Sequence, residues 1–357
     1  GSDYSMMDRD DLRAAVGAGI VTEGQAASLT SLADSRRGAR TDLAVGDEPF
    51  ELFKGFNEVF IVVGLLILAM GWAGVVGVAY AAEITNPQQA AMLYGSIGAL
   101  IIWAMSEYFI RRRRMVGPAI ALSILFTGNA AIALTAYFAQ PFMVAQQDYA
   151  SLPLPFILGT AAIGVFWYRF RVPFAMAMIA VGFFIVAILM AATSQGTPQD
   201  PSDLFLLSAG GPFAWITLVL GLLVFAVAMA FDMSDPHRVT RRSANGFWLH
   251  VVAAPTLVNT LALTLLDRDA HWALLGVMLI FALVAIVIDR RSFLIAAIGY
   301  IVALASTVFD GETTALTVLV LGIILLLLGA FWEKFRARLL RLMPRFVPLH
   351  RLPPSNI

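Results

Sequence analysis

The sequence has no cysteine and little charge, and these two shortages exclude several classes of protein. Without cysteine there are no disulfides, no thiolate metal sites and no cysteine nucleophiles. Charged residues are 13% of the 357 residues, against about 25% in soluble domains. The 24 basic and 24 acidic side chains cancel, which argues against a nucleic-acid binder recognised by bulk charge.

Apolar residues are in excess. They make up 59% of the chain, and the mean hydropathy is +0.80. A soluble domain has about 45–50% apolar residues, so a soluble globule of this length is excluded. The composition is that of an integral membrane protein.

The apolar residues fall into runs long enough to cross a bilayer, which takes about 20 residues in a helix. Ten such runs occur, at 57–82, 88–110, 115–139, 152–170, 172–193, 212–232, 246–266, 270–288, 292–309 and 313–332. The predicted fold is therefore all-α, a polytopic membrane helix bundle of about ten transmembrane helices.

Arginine distribution predicts the orientation of these spans. Connections after even-numbered spans carry clusters of arginine, namely Arg111–Arg114, Arg169 with Arg171, Arg238 with Arg241 and Arg242, and Arg290 with Arg291. Connections after odd-numbered spans carry acidic residues and a single basic one, Arg268. Cytoplasmic loops are enriched in arginine and lysine, so both termini are predicted to be cytoplasmic, with ten spans between them.

A small cytoplasmic helical hairpin is predicted over residues 8–37. Leucine and other apolar residues recur there at helical spacing, and Thr22-Glu23-Gly24-Gln25 is a capping box that opens the second helix. Such a hairpin is too small to hold a large core alone. We expect it to dock on another surface, on a cytoplasmic protein partner or on a second copy of the chain, which admits a homo-oligomer.

The segments that flank the hairpin are predicted to have other roles. Residues 1–7 have the composition of a vector-derived remnant without fixed structure, with native coding starting at Met6 or Met7. Residues 38–56 form a polar linker that ends in aromatic residues beside charges, which is typical of a segment lying on the membrane surface. The same aromatic stretch is also compatible with the first turns of the first span.

The tail, residues 333–357, interleaves arginine with leucine, methionine and phenylalanine. On the cytoplasmic side this pattern predicts an amphipathic segment bound to the anionic headgroups of membrane lipids. Nucleic-acid binding is not predicted, because the basic residues directly follow a span.

Five stretches of the sequence show a resemblance to known proteins: Leu12–Ile20 with Gln25-Ala26, Gly55-Phe56-Asn57-Glu58, Gly246–His250 with Ala254-Pro255, Asp289-Arg290-Arg291, and Leu321 with Trp332, Arg336, Leu340 and Pro344. Together they resemble a family of uncharacterised bacterial polytopic membrane proteins, the domain of unknown function 2157 type, which has an N-terminal helical hairpin followed by multiple transmembrane helices. The resemblance implies this architecture and the bacterial inner membrane, and it implies no chemistry.

Ionisable residues inside spans are functional candidates, because a charge at mid-bilayer costs at least ~2.5–3.5 kcal/mol. Four carboxylates lie near the predicted cytoplasmic ends: Glu58, Glu107, Asp232 and Asp289. Glu58 follows Lys54 by four residues and Glu107 precedes Arg111 by four, so both are predicted to form ion pairs at the interface. Asp232 and Asp289 stand beside basic loops and are predicted to be charge partners.

The seventh span carries the most polar residues. Thr256, Asn259 and Thr260 share one broad helical face, whereas His250 lies half a turn out of phase with Asn259. The predicted cavity-lining residues are Asn129, His250, Thr256, Asn259, Thr260 and Tyr300. The alternative is that these side chains form hydrogen bonds between packed helices.

No catalytic, cofactor-binding or metal-binding motif is found. The four histidines never stand at metal-ligand spacing, and neither GxSxG nor HExxH occurs. Three hypotheses stay open. The first is a transporter or permease for a small solute or lipid-like molecule. The second is a membrane scaffold or sensor acting through residues 8–37. The third is an interfacial lipid-modifying enzyme that uses Glu107, Asp232 or His250 as acid–base groups.

Overall fold

The structure is a computed structural model in which the described residues form helices and turns, with no β-strand among them. It describes residues 9–36, 55–82, 86–140, 143–146, 148–198, 201–238, 241–290, 319, 322–324 and 326–354. Several predictions lie outside these residues: those for 1–7, for most of the linker 38–56, for Tyr300, for the span 292–309 and for most of the span 313–332.

The N-terminal helical hairpin forms where the capping pattern predicted it. Its helices are α1 (Arg9–Gly17) and α2 (Glu23–Arg36). The backbone N–H of Thr22 donates to Oε1 of Gln25 at 2.9 Å, and the N–H of Gln25 donates to Oγ1 of Thr22 at 3.2 Å. These two bonds are the reciprocal pair of a capping box, so the predicted start of α2 is confirmed.

Further helices follow the hairpin, most of them long and apolar. They are α3 (Phe56–Ala82), α4 (Pro87–Ser106) continued by a π-helical segment (Glu107–Arg112), α5 (Gly117–Phe138), the short α6 (Met143–Gln146), α7 (Pro153–Phe170), α8 (Phe174–Gln195), α9 (Phe213–Ser234), α10 (Arg241–Asp267), α11 (His271–Ile288) and α12 (Trp332–Arg341). Each of the first eight predicted spans coincides with one of these helices. Single 3₁₀ turns lie at Pro201–Leu204, Leu207–Ala209 and Leu349–Arg351.

Six helices of the described residues are long and apolar enough to cross a membrane. They run over Phe56–Ala79, Pro87–Arg112, Gly117–Phe138, Phe174–Gln195, Phe213–Ser234 and Arg241–Asp267, and a shorter apolar helix covers Trp272–Ile288. In lipid every backbone polar group must be bonded internally, which a helix achieves. The fold is thus that of an all-α membrane-embedded protein, and six is the number of spanning helices that length and composition support in the described part.

The helices pack as two units. The first unit covers Phe50–Leu204 and Gly210–Leu220. In its core α5 packs between α4 and α7, around a group of aromatic rings. The rings of Phe126 and Phe166 are stacked at 4.9 Å, and Trp103 lies edge-on to Phe170 at 4.9 Å. Aromatic pairs of this geometry add about 0.5–1.5 kcal/mol beyond the area that they bury.

A glycine allows the two central helices of the first unit to approach each other closely. A Cβ atom placed on Gly95 of α4 would lie 2.9 Å from the backbone nitrogen of Ala133 and 3.0 Å from the backbone oxygen of Asn129, both on α5. These neighbours are main-chain atoms, which cannot rotate away. Small residues at such crossings let membrane helices pack backbone to backbone.

We expect Gly95→Ala to lower the free energy of unfolding by about 1–3 kcal/mol, because the added methyl group overpacks a rigid contact. The control is Gly128→Ala on α5, where a Cβ meets nothing within 4 Å and where the gain in helix propensity makes the change neutral or stabilising. Titration of the purified variants with a denaturing detergent measures both. Equal stability of the two variants would contradict the close approach.

The second unit contains α1 and α2, residues Phe205–Ala209 and the described residues from Gly221 onward. It therefore includes the second part of α9 together with α10, α11 and α12. Gly221 of α9 packs against Thr256 of α10, since a Cβ on this glycine would lie 2.7 Å from the threonine hydroxyl.

Candidate functional site

The most concentrated group of buried charges in the described residues lies in the second unit, around Asp232 near the end of α9. Arg290 donates to this carboxylate twice, from Nη2 to Oδ1 at 2.7 Å and from Nε to Oδ2 at 3.1 Å. Nε2 of His250, on α10, lies 2.9 Å from the same Oδ2. All three residues are buried, and His250 has no exposed surface. The two-point arginine contact fixes both distance and orientation.

Gly246 leaves room for this carboxylate between α9 and α10. A Cβ atom on Gly246 would collide with Oδ1 of Asp232 and would lie 3.3 Å from the backbone oxygen of Ala228. Gly246 stands one turn before His250 on α10, so the missing side chain brings the histidine within reach of α9.

A second group of charges surrounds the end of α11. Asp289 caps this helix in the left-handed conformation, with φ of 56°. Its Oδ1 accepts a hydrogen bond from Nε1 of Trp332 at 2.8 Å, and its Oδ2 lies 3.6 Å from Nη1 of Arg238. We call the two groups together the ion cluster: Asp232, Arg238, His250, Asp289, Arg290, Trp332 and Arg336.

Two arginines of the ion cluster satisfy the carbonyl groups at the end of α11. Arg238 donates to the backbone oxygens of Ile288 and Asp289, at 3.2 and 2.7 Å. Arg336 donates to those of Ile286 and Val287, both at 3.1 Å. The last carbonyls of a helix have no partner within it, and cations are favourable at this negative end of the helix dipole.

The geometry of the ion cluster suits positioning better than catalysis. A histidine beside a carboxylate can act as a general base, but it must reach the proton that it abstracts, and His250 is fully enclosed. In the described part of the chain, no group of three or more histidine or acidic residues could hold a metal ion. The ion cluster instead joins the C-terminal ends of α9 and α11 to the first half of α10 and to the start of α12.

The N-terminal hairpin lies against the loop that follows α9. A Cβ on Gly24, in the first turn of α2, would lie 3.8 Å from Cε1 and Nε2 of His237. Burial raises the pKa of the neighbouring Glu23, as does the negative charge of Asp235, while His237 and Arg242 act in the opposite direction. His237 adjoins Arg238, so the hairpin contacts the loop that supplies one arginine of the ion cluster.

The hydroxyl groups predicted to line a cavity in the seventh span donate hydrogen bonds within their own helix. Thr256 donates to the backbone oxygen of Ala253 at 2.8 Å, and Thr260 donates to that of Thr256 at 2.5 Å. Asn129, in the first unit, donates to the oxygen of Leu125 at 2.9 Å, and its side chain fills the space beside Gly98. His250 faces Asp232, as described above. Only the contact of His250 with Asp232 joins two helices, whereas Thr256, Thr260 and Asn129 bond to carbonyls of their own helices.

The two remaining candidate carboxylates lie in the first unit. Glu107 pairs mainly with Arg169, with Nε to Oε1 at 2.8 Å, while the predicted partner Arg111 is farther away at 3.8 Å. The pair is partly exposed, and such pairs contribute about 0–1 kcal/mol. Glu58 is buried and lines an open cleft of about 330 Å³ together with Gly55, Phe56, Asn57, Arg113 and Met115. Of the predicted cavity-lining residues that the structure describes, none lines this cleft.

Sequence reasoning found both aspartates of the ion cluster and missed most of their partners. Arg238 and Arg290 served to orient the spans, Trp332 and Arg336 were assigned to the last span and the tail, and none of the four was predicted to bind Asp232 or Asp289. The available signal was an acidic residue at the end of one span combined with arginines directly after others. Choosing partners from that signal requires knowing which helix ends are neighbours.

Comparison with known proteins gives no match: no family model, curated protein or solved structure is similar to this chain.

Removing one charge of the central pair should destabilise the second unit strongly. We expect Asp232→Asn to lower the free energy of unfolding by about 3–5 kcal/mol, because it leaves the Arg290 guanidinium buried without its carboxylate. Adding Arg290→Gln should restore part of this loss.

The matched control is Glu107→Gln, which removes a partly exposed pair and should lower the free energy of unfolding by at most about 1 kcal/mol. Detergent titration measures all three variants. Similar losses for Asp232→Asn and Glu107→Gln would contradict the importance of the buried pair.

Proposed function

We propose that this protein is a multi-pass membrane scaffold or sensor that acts through its N-terminal hairpin. The observation that supports this proposal is the contact of Gly24 with His237, which seats the hairpin on the loop beside the ion cluster. A partner that moves the hairpin would act directly on this loop. Arg238, in the same loop, would carry the change to the end of α11.

We also propose a ten-span topology in a bacterial cytoplasmic membrane, with both termini cytoplasmic. The alternation of arginine-rich and acidic connections supports it, as do the helices found at the first eight predicted spans. The ninth and tenth spans are supported by hydropathy alone. Membership of the domain of unknown function 2157 type remains a proposal that rests on the hairpin, the apolar helices and the short stretches of sequence.

Transport of a small solute takes second place among the functions, and an interfacial enzyme takes third. A transporter needs polar groups that line a water-filled path. The hydroxyls of Thr256 and Thr260 instead bond to carbonyls of their own helix. An enzyme that used His250 would need to expose it to a substrate, and its side chain is enclosed.

The partner expected for the hairpin is a protein with an apolar surface. Leu29 and Leu32 stand one turn apart on α2 and are 45% and 59% exposed, and Ile20 in the preceding turn is 76% exposed. Exposed apolar residues grouped on one small element are typical of an interaction site.

The contact between the hairpin and its loop should strengthen as the pH falls. The pKa of Glu23 is raised in the folded protein. The contribution of its protonated form to the stability of this contact is therefore fully present below the ordinary pKa of 4.5, and it is lost as the pH rises through the raised pKa. The chain has no cysteine, so Ser28→Cys and Ser234→Cys can carry a pair of spin labels. We expect a narrower distance distribution at acidic pH in the otherwise native chain and a smaller pH effect in Glu23→Gln. An unchanged pH effect in Glu23→Gln would contradict the assignment to this carboxylate.

The exposed apolar residues of the hairpin, Ile20, Leu29 and Leu32, can be tested as an interaction site in intact cells. A photo-crosslinking amino acid at position 29 or 32 should give a discrete adduct with another protein, whereas the same amino acid at Thr30, which donates to a carbonyl of its own helix, should give less. Deletion of residues 1–48 should abolish complex formation. Equal yields at the three positions, or a complex that survives the deletion, would refute the scaffold hypothesis.

A further inference from the structure

Helix α12 has two faces with different surroundings. Trp332, Arg336 and Ala337 are buried, and the first two bind the end of α11. Phe335 and Leu342 are 46% and 80% exposed. At about 100° per residue, Phe335 and Leu342, the C-cap residue of α12, lie about 20° apart around the helix axis and about 60–120° from Trp332 and Arg336. The helix therefore presents a continuous apolar strip that α11 does not cover.

Basic side chains surround the apolar strip. Residues 331–354 contain one acidic residue, Glu333, and several exposed basic ones, Lys334, Arg338, Arg341, Arg345 and Arg351. Phe346, just beyond the helix, is 85% exposed and extends the apolar strip. A helix with large apolar side chains beside lysine and arginine is typical of elements that lie in the membrane interface.

The ion cluster determines the depth at which α12 lies. Trp332 and Arg336 contact the last residues of α11, and Arg290, just after α11, reaches the end of α9. The helix α9 is long and apolar enough to cross a membrane, so its end lies near the headgroups. An element held at that end lies at the level where apolar and cationic groups meet acyl chains and phosphates.

We propose that the exposed face of α12, with Phe346, binds the anionic lipids of the adjacent leaflet, and that this binding holds Trp332 and Arg336 against α11. Phe335, Leu342 and Phe346 then lie at the acyl boundary, and the arginines lie among the phosphates. The proposal rests on the membrane embedding of the chain and not on the role of the hairpin. Each arginine near an anionic surface contributes about a fivefold factor in binding.

Leu342→Cys provides the probe, since the chain has no other cysteine. The full chain is labelled with a nitroxide at this position and reconstituted into vesicles of phosphatidylcholine alone or with added phosphatidylglycerol. With phosphatidylglycerol, we expect the label to collide more with dissolved oxygen and less with a water-soluble nickel complex. The same label at Ser28→Cys, an exposed position on the hairpin, is the control and should not respond.

Charge variants test the cause of the binding. Arg338→Gln with Arg341→Gln should weaken the phosphatidylglycerol-dependent docking about 25-fold, and added salt should do the same. The matched control is Arg268→Gln, which removes an exposed arginine from the other end of α10. Equal collision rates in both lipids, or an equal effect of Arg268→Gln, would overturn the proposal. Dependence on protein concentration would overturn it in favour of a second copy covering this face.

Amide hydrogen exchange tests the coupling to α11. With phosphatidylglycerol, the amides of residues 286–290 should exchange several-fold more slowly, and the pair Arg338→Gln and Arg341→Gln should remove this protection. A label that enters the membrane without any change in exchange would overturn the coupling. Photo-crosslinking of the hairpin uses a different readout, so failure of the scaffold hypothesis and failure of lipid binding can be told apart.

Discussion

The satisfaction of charges and carbonyl groups at the helix ends is the constraint on which the second unit depends. The last carbonyls of α11 and the carboxylate of Asp232 are buried, where an unsatisfied polar group costs several kcal/mol. Arg238 and Arg336 bind the carbonyls, and Arg290 binds the carboxylate. Because these arginines come from different segments, satisfying the polar groups also fixes which helix ends are neighbours.

This arrangement brings two peripheral elements to one end of the second unit. The hairpin contacts His237, next to Arg238, and α12 contributes Trp332 and Arg336. A protein bound to the hairpin and lipids bound to α12 would therefore act on the same buried charges. A buried ion pair is weak evidence for added stability, and its best-attested role is to specify one arrangement over others. Such specification is what a scaffold or sensor requires.

The first unit is held together differently. Its core consists of aromatic rings such as Phe126 and Phe166, and its helices approach each other at glycines such as Gly95. Its main ion pair, Glu107 with Arg169, is partly exposed. Without a hydrophobic driving force between helices in lipid, close van der Waals packing dominates. Substitutions in this unit are therefore expected to change stability through side-chain packing, and those in the second unit through the loss of charge pairs.

The sequence by itself determined the first eight apolar helices and the start of α2 in the hairpin. Runs of apolar residues predict spans because of bilayer thickness, and the box from Thr22 to Gln25 predicts a helix start because its bonds are local. Which side chains pair with each other was decided only by the tertiary structure. Asp232 meets Arg290, 58 residues away, and Glu107 prefers Arg169, 62 residues away, to Arg111. Spacing along a helix gives contacts within one turn, whereas contacts between helices depend on packing angles and on small residues such as Gly246, which hydropathy does not record.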